Sequence, residues 1–391
     1  MIKHTFKILW NDKKKYWGIL FEQAIVFIVL TICIISIIQK LKQYYTPGTL
    51  DTSNMVLVTY MFKTGHSNPY NNYTIGKKFR VVIEHTSHLP YVEKISQSMY
   101  FTPYLRDDAF YPSDSISIDG KNIRFNIRIA DEATHSVFRP QIIEGSWKMD
   151  NNMEDGSFPI IITKQFADQI KWNSSVGRKI NYQGISYTVV GVVNGIKQQL
   201  FSESLPAIIM PTIQMGELFI GEFCIRIKKG YKDILINDFL QEFNKQISNE
   251  YIEPVIVDMD RIYKIQLIDN LFLVTIITIP TIFFLIFAFI GTFGLFWLNS
   301  RRRATEYALR LAIGSSSFKL LLYVLNESII ITFLAILPGI LLLILTYGLN
   351  DLTLIGMFTS FTIVIIFSIF SSFLPAYKIS NIKPANILHH E

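Results

Sequence analysis

The sequence predicts an α-helical membrane protein with four transmembrane helices and a large α+β extracytoplasmic domain between the first and second helices. Three observations support this fold class. Four long apolar runs occur, and one of them, from Asn270 to Ser300, holds 31 residues without a charge. Half of all residues are hydrophobic and only 17% are charged, against about 25% in ordinary globular proteins. A polar stretch of 230 residues, 39–268, separates the first apolar run from the second.

Each apolar run is long enough to cross a membrane. A bilayer core of about 30 Å needs roughly 20 helical residues, and a helix satisfies its own backbone hydrogen bonds in lipid. The predicted transmembrane helices are residues 17–38, 269–300, 320–347 and 352–374, with an outer turn at 348–351. A cleavable signal peptide is the alternative for the first run. That run exceeds the usual apolar core of roughly 7–15 residues and ends in Ile-Ile-Gln-Lys, so we expect it to be retained.

Lysine and arginine residues beside the apolar runs predict the orientation, because they collect on the cytoplasmic side. Residues 1–16 contain five lysines and place apolar residues at helical spacing, which predicts an amphipathic segment at the membrane surface. Four arginines and a lysine fall in the loop 301–319, and the tail 375–391 adds two lysines. All three segments are therefore assigned to the cytoplasm, and the domain 39–268 to the outside.

Short β-rich runs dominate the outer domain. Strands are predicted at residues 55–62, 79–84, 123–130, 159–163, 186–193 and 223–227, and helices at 91–98, 164–170 and 234–247. Asp119-Gly120 and Gln183-Gly184 each lie between two such runs and predict tight hairpins. Strand–helix–strand order near both ends, with mostly strands between, predicts an α+β module interrupted by a β-rich insertion.

The motifs of several common enzyme classes are absent from the sequence. It contains no phosphate-binding G-x-x-x-x-G-K-[ST] loop, no G-x-S-x-G and no H-E-x-x-H. His85 and His88, and the terminal His389-His390, have spacings that can bind a metal, but no ligand set accompanies either pair. The net charge of +6 lies mostly beside the apolar runs, which favours membrane orientation over nucleic-acid binding. We therefore expect no catalytic residue, metal, cofactor or nucleic-acid partner.

Two features at the cytoplasmic side are candidate functional sites. In the basic loop, Glu306 and Arg310 have the i,i+4 spacing of a short helix, with an apolar stripe that includes Leu309 and Ile313. Such a helix could be an interfacial anchor whose arginines hold lipid phosphates. Glu327 is an acidic residue near the cytoplasmic end of the third predicted helix. It either pairs with the basic loop or reaches the interface, or it serves in a proton relay.

The loop resembles that of MacB/FtsX-type ABC transporter permeases. It reads Arg303-Ala-Thr-Glu-Tyr-Ala-Leu-Arg-Leu-Ala-Ile-Gly314, with Glu327 thirteen residues later, where the family reads R-T-R-E-I-G-I-R-x-A-x-G-A with a Glu in the next span. Residues 176–193 and Ile143-Glu-Gly145 resemble pieces of the MacB-like periplasmic core domain. Residues 375–388 resemble the family's tail, so the resemblance extends over essentially the whole chain.

Some positions depart from the family pattern. Thr305 and Ser315 stand where the family commonly has Arg and Ala, and Ser316 stands where a basic residue usually follows. MacB itself carries a fused N-terminal ATPase, which this sequence lacks, so the resemblance implies a separate ABC ATPase subunit. It also implies a porter-like outer module with a β-rich insertion, a dimer with a second copy or paralogue, and a bacterial inner-membrane location with the large domain in the periplasm. A periplasmic adaptor and an outer-membrane channel stay open as partners.

The resemblance implies that the loop couples the permease to its ATPase. The implied coupling residues are Arg303, Glu306, Leu309, Arg310, Ile313 and Gly314, with Glu327 as a membrane-proximal acidic residue. The leading hypothesis is a permease that transmits ATP-driven motion for export of peptide, antibiotic or lipoprotein-type cargo. The alternative is an FtsX-like or sensor-type signalling permease that controls a cell-wall hydrolase or a peptide response. A membrane-anchored periplasmic enzyme would need one span and a catalytic cluster, whereas this chain has four spans and no such cluster.

Overall fold

The computed structural model describes residues 13–63, 69–105, 111–149, 153–215, 221–247 and 252–381. The chain divides into two compact units. The outer unit comprises Lys42–Asn270, and the membrane unit comprises Met1–Leu41 together with Leu271–Glu391. Most of the predicted amphipathic segment 1–16 lies outside the described residues, as does the tail from residue 382 onward with His389 and His390.

The first helix, α1 (Lys13–Tyr45), contains the predicted span 17–38 and continues beyond it. Lys197, which is fully buried, caps the end of this helix. Its Nζ donates to the carbonyl oxygens of Gln43 and Tyr44 at 2.6 and 2.9 Å. The last carbonyls of a helix have no partner within it, and a cation placed there satisfies them. This contact explains why the helix persists past the apolar run.

Eleven strands and four helices of the described residues lie between α1 and the second membrane helix. In chain order they are β1 (Met55–Phe62), α2 (Pro69–Ser87), β2 (Val92–Met99), β3 (Ser113–Ile118), β4 (Lys121–Ala130), α3 (Ala133–Phe138), β5 (Ile142–Gly145), β6 (Phe158–Thr163), α4 (Lys164–Ile170), β7 (Lys179–Tyr182), β8 (Ile185–Val193), β9 (Ala207–Pro211), β10 (Glu222–Ile227), α5 (Lys232–Gln246) and β11 (Ile252–Asp258). The strands form one sheet in the order β11-β1-β10-β2-β4-β9-β6-β8-β5, with β3 on β4 and β7 on β8.

One end of this sheet is a compact α+β module. Strands β11, β1, β10 and β2 pair antiparallel, and helices α2 and α5 contact each other. Phe79 of α2 packs against both the sheet and α5, with ring centroids 5.6 Å from Phe223, 6.1 Å from Phe239 and 6.2 Å from Phe243. The two strand–helix–strand pieces form the β-α-β-β-α-β arrangement of ferredoxin-like folds. The other strands are inserted between β2 and β10, which confirms the predicted α+β module with a β-rich insertion.

Two predictions within this module are wrong. Residues 79–84, predicted as a strand, belong to α2, and residues 91–98, predicted as a helix, form most of β2. The buried residues of α2 have helical spacing, and the first of them is Ile75. Ile75 lies among polar residues before the predicted strand. Strand β2 buries Ser96 and Ser98 at alternate positions. Because these buried residues are serines, the sequence of β2 lacks the alternating apolar residues that indicate a strand.

Both predicted hairpin turns are confirmed. Asp119 and Gly120 have φ angles of 49° and 75° between β3 and β4. Gln183 and Gly184 have φ angles of 51° and 79° between β7 and β8. Positive φ at both central residues is what a type I′ turn requires, and its twist matches that of paired antiparallel strands.

Four further helices complete the described chain: α6 (Met259–Arg302), α7 (Ala304–Ala312), α8 (Ser317–Tyr347) and α9 (Asp351–Ser380). Helices α1, α6, α8 and α9 are long and apolar enough to cross a membrane, which confirms four transmembrane helices. Helix α6 has 44 residues, about 66 Å at 1.5 Å per residue. It begins ten residues before the predicted boundary at 269, since residues 259–268 on the outer side are also helical. Helix α9 likewise runs past the predicted end at 374.

Small and hydroxyl-bearing residues line the contacts between the membrane helices. Gly356 of α9 lies so close to α1 that a Cβ there would be 2.5 Å from Ile35 Cγ1, and Gly339 of α8 also packs closely on α1. Ser328 Oγ of α8 lies 2.6 Å from Ser368 Oγ of α9. Lipid tails are as apolar as the side chains, so helices associate through close packing and hydrogen bonds.

Candidate functional site

Helix α7 lies within the basic loop 301–319 and is supported by charges at its start and middle. Arg310 Nη2 donates to Glu306 Oε1 at 2.6 Å across one helical turn, as expected for an i,i+4 pair. Arg303 precedes the helix, and its Nε donates to the other carboxylate oxygen of Glu306 at 2.9 Å. The Glu306 carboxylate therefore lies between two arginines and holds both.

A glycine cap ends α7. Gly314 has a φ of +101°, its N–H donates to Leu311 O at 3.1 Å, and the Ser315 N–H donates to Arg310 O at 3.0 Å. These two bonds form a Schellman motif, which glycine permits because it adopts positive φ without strain. Gly314 therefore fixes the turn that leads from α7 into α8.

Arg303 also joins the loop to the membrane helix α8. Its Nη1 donates to the two oxygens of Glu327 at 3.0 and 3.3 Å, and its Nη2 donates to the Tyr323 hydroxyl at 3.3 Å. The Glu327 side chain is only 4% exposed, and that of Arg303 is 18% exposed. A buried charge is tolerated when it is paired and hydrogen-bonded. Of the alternatives for Glu327, the structure shows the ion pair with the basic loop.

Aromatic rings surround the same two arginines. The guanidinium carbon of Arg310 lies 4.7 Å from the ring centroid of Tyr323, and that of Arg303 lies 5.1 Å from the ring of Tyr307. Burial disfavours the charge of Arg303, but its hydrogen bond to Glu306 and the nearby negative groups outweigh this effect and raise its pKa. Burial raises the pKa of the Tyr307 hydroxyl. At neutral pH the arginine is therefore charged and the tyrosine neutral.

Helix α7 has one buried face and one exposed face. Tyr307 and Ala308 are buried, and Tyr307 packs in a cluster with side chains of α1, α6, α8 and α9. Leu309 and Ile313 lie one turn apart, with 52% and 77% of their surface exposed, and Phe318 at the start of α8 is 66% exposed. The loop thus presents large apolar side chains that nothing in the described chain covers.

Three aromatic residues of this site are not among the predicted site residues. Tyr307 follows Arg303 by four residues, and Tyr323 precedes Glu327 by four. That spacing places each tyrosine on the same helix face as its charged neighbour, and it is the signal from which both could be found. Phe318 has no periodic neighbour that distinguishes it in the sequence.

No metal centre accompanies this site in the part of the chain that the structure describes. Those residues contain no group of three His, Cys, Asp or Glu side chains placed to hold a metal ion. Cys33 and Cys224 are both buried and unbridged. The chemistry of the loop is therefore that of ion pairs and apolar contact.

Two family models match the chain. The MacB-like periplasmic core domain matches residues 25–237, and the FtsX-like permease C-terminal domain matches residues 278–384. The chain belongs to the MacB/FtsX family of ABC transporter permeases. As a member, it is a multi-pass protein of the inner membrane, and its outer unit is a periplasmic domain. Permeases of this family that, unlike MacB, carry no fused ATPase work with a separate ATPase subunit. The FtsX-like match includes the whole of α7, α8 and the Arg303–Glu327 pair.

Three solved structures are similar to about half of this chain. The periplasmic region of MacB from Actinobacillus actinomycetemcomitans is 12% identical with a TM-score of 0.38, over 55% of this chain and 92% of that one. The extracellular domain of the noncanonic ABC-type transporter YknZ from Gram-positive bacteria is 14% identical with a TM-score of 0.37, over 52% and 100%. A permease-protein domain from Porphyromonas gingivalis is 15% identical with a TM-score of 0.37, over 53% and 91%. No curated protein matches the chain.

Proposed function

We propose that this permease transmits the ATP-driven motion of a separate ATPase subunit to its own periplasmic domain, and that the motion exports peptide, antibiotic or lipoprotein-type cargo. The observation that supports this function is the two-faced structure of α7. One face is buried at Tyr307 and Ala308, and Arg303 at the start of the helix pairs with the buried Glu327 of α8. The other leaves Leu309 and Ile313 exposed to a partner.

The ion pair makes α7 and α8 move together. Moving Arg303 away from the buried Glu327 carboxylate costs free energy, because that charge is shielded from water, so α7 moves with α8. Helix α6 ends at Arg302, one residue before Arg303, and begins at Met259. We propose α6 as the element along which a displacement of the cytoplasmic end travels.

Leu309 and Ile313 fit the pattern of a helix that binds in a groove. Apolar residues one turn apart on an amphipathic helix are the usual anchors of that binding mode, and truncation of a central anchor typically costs more than about 1 kcal/mol. The competing hypothesis is that both side chains anchor α7 in the membrane interface. Under that hypothesis a charge at either position leaves ATPase binding intact.

Co-purification with the partner ATPase distinguishes these hypotheses. We expect Leu309→Asp and Ile313→Asp to insert into the membrane normally and to bind the ATPase at least about tenfold more weakly, since 1.4 kcal/mol is a factor of ten. Ile234→Asp is the matched control, because Ile234 is 47% exposed on α5 of the outer unit. If both α7 variants retain the ATPase as firmly as the control, α7 is not the coupling element.

We further propose that a second copy of this permease, or a paralogue, packs against α6. Of the 18 most apolar consecutive residues of α6, only 11% are buried, against 33% of the corresponding 18 residues in each of the other three spans. Phe283 and Phe287 lie one turn apart on α6 and are 64% and 59% exposed. In a variant without Cys33 and Cys224, a cysteine at Phe283 should form a disulfide between copies, and a cysteine at Leu345 of α8 should not. Equal yields at both positions would reject α6 as the interface.

A further inference from the structure

A second group of basic residues lies near α7 and is separate from its ion pairs. The ends of α6 and α9, together with Ala304 at the start of α7, enclose a cavity of about 210 Å³. Trp297 and Arg301 line the cavity from α6, and Lys378 lines it from α9. All of these residues belong to the membrane unit.

Both cations of the cavity lie over the same indole ring. The Arg301 guanidinium carbon is 5.6 Å from the ring centroid of Trp297, and the Lys378 Nζ is 4.7 Å from it. Each contact is favourable on its own, but two like charges at one ring repel each other. Neither cation has a carboxylate partner among the described residues, whereas Arg303 has two. The cavity is therefore lined by two positive charges, which a bound anion would neutralise.

The position of the cavity indicates a membrane lipid as the source of that anion. Residues 270–300 and 352–377 carry no charge, so Arg301 and Lys378 are the first charged residues after the apolar cores of α6 and α9. Lysines and arginines at that position face the phosphates of the cytoplasmic leaflet. Pro375 and Ile379 are buried and give the cavity an apolar wall. An apolar wall beside two cations matches a phosphate that continues into a glycerol and acyl chains.

We propose that this cavity binds the headgroup phosphate of an anionic phospholipid from the cytoplasmic leaflet. Arg301 and Lys378 contact the phosphate, and Trp297 lies beside the glycerol. The basic loop then has two kinds of arginine: Arg303 is neutralised inside the protein, and Arg301 binds lipid. A lipid bound there joins α6 to α9 beside the first residue of α7. The inference holds whether or not α7 binds an ATPase.

Quenching of Trp297 by brominated lipids tests this site in the full-length chain. The parent variant carries Trp10→Phe and Trp17→Phe, which leaves Trp297 as the tryptophan of the membrane unit, since Trp147 and Trp172 belong to the outer unit. The protein is reconstituted in phosphatidylcholine vesicles in which a fixed fraction of lipid is brominated phosphatidylglycerol or brominated phosphatidylcholine. The ratio of the two quenching constants gives the preference of the site for the anionic headgroup.

We expect a clear preference for phosphatidylglycerol in the parent. A basic residue near an anionic surface contributes about fivefold to binding, so Arg301→Gln and Lys378→Gln should each lower the preference about fivefold and together about 30-fold. Lys378→Arg should retain it. Arg302→Gln is the matched control, because Arg302 is exposed and does not line the cavity.

Three results would overturn the proposal. The first is equal quenching by the two lipids in the parent protein. The second is a loss of preference in Arg302→Gln as large as that in the Arg301→Gln/Lys378→Gln double variant, which would indicate general surface charge. The third is displacement of brominated phosphatidylglycerol by millimolar inorganic phosphate, which would show a site for free anions.

Discussion

At the residue scale, Arg303 holds the candidate coupling loop together. Its guanidinium contacts Glu306 on α7, and Glu327 and Tyr323 on α8. Removal of Arg303 and removal of the Glu327 charge have different consequences. Loss of Arg303 removes a cationic partner from the buried Glu327 carboxylate, whereas loss of the Glu327 charge leaves Arg303 paired with Glu306. We therefore expect substitution of Arg303 and substitution of Glu327 to lower the free energy of unfolding by different amounts.

We predict that Arg303→Ala lowers the free energy of unfolding of the membrane unit by about 3–5 kcal/mol, the usual cost when one partner of a buried ion pair is removed. Glu327→Gln should cost less, because the amide oxygen still accepts a hydrogen bond. The Arg303→Ala/Glu327→Gln double variant should be more stable than Arg303→Ala alone. Thermal unfolding of the purified protein measures all three, with exposed Arg302→Ala as the control. Additive costs would show that residues 303 and 327 do not interact.

Glu144 has a similar positioning role in the outer unit. Its carboxylate accepts hydrogen bonds from Ser174 Oγ at 2.6 Å, from the Ser175 N–H at 3.1 Å and from the Val176 N–H at 3.2 Å. The Ser174 hydrogen bond, with the two backbone bonds, lowers the pKa of Glu144. A carboxyl group whose pKa is lower in the folded state stabilises the fold above its unfolded-state pKa, and this contribution is lost as pH falls through the folded-state value.

We predict that Glu144→Gln speeds amide hydrogen exchange in residues 174–176, because the amide replaces a charged acceptor. The difference from the unmodified chain should be full above the ordinary glutamate pKa of about 4.3 and should fade as the pH falls below it. Hydrogen exchange at several pH values measures the effect, and Glu203→Gln, an exposed glutamate, is the control. A difference that persists unchanged in acid would assign the effect to packing.

At the scale of elements, local signals in the sequence predict some elements and miss others. The spacing of Glu306 and Arg310 and the glycine at 314 are sufficient to predict α7, because those contacts form within one helix. Strand β2 is different, because it buries Ser96 and Ser98, and the neighbouring strands decide that burial. The Arg303–Glu327 pair joins residues 24 positions apart. Only the tertiary structure brings them together, so spacing alone left three alternatives for Glu327: the ion pair, the interface and a proton relay.

The close contact between α1 and α9 can be tested with alanine. In Gly356→Ala the new Cβ would lie 2.5 Å from Ile35 Cγ1, so the Ile35 side chain or the helices must shift, and we expect a loss of about 1–3 kcal/mol in the free energy of unfolding. Gly294→Ala is the matched control on α6, since a Cβ there meets nothing within 4 Å. Thermal unfolding of the two variants in one detergent makes the comparison. Equal stability of the two would contradict the close packing at Gly356.

At the scale of the whole molecule, the four spans and the distribution of basic residues determine the topology. Both termini and the loop 301–319 are expected in the cytoplasm, with the outer unit in the periplasm. Single cysteines at Asn181 and Ser316, both exposed positions, test this in a variant without Cys33 and Cys224. An impermeant maleimide should label Asn181→Cys and not Ser316→Cys in intact cells whose outer membrane is permeable. Equal labelling would contradict the topology.

We propose that α7 carries the motion of a separate ATPase to the periplasmic domain. The most direct measurement is an ATP-dependent fluorescence change from a probe on Asn181→Cys, in proteoliposomes that contain the permease and its ATPase. We predict the change in the parent and in Ile234→Asp, and its loss in Leu309→Asp and Ile313→Asp, whose apolar anchors are replaced by charges. An ATP-dependent change of parental size in a Leu309→Asp/Ile313→Asp double variant would show that the motion does not pass through α7.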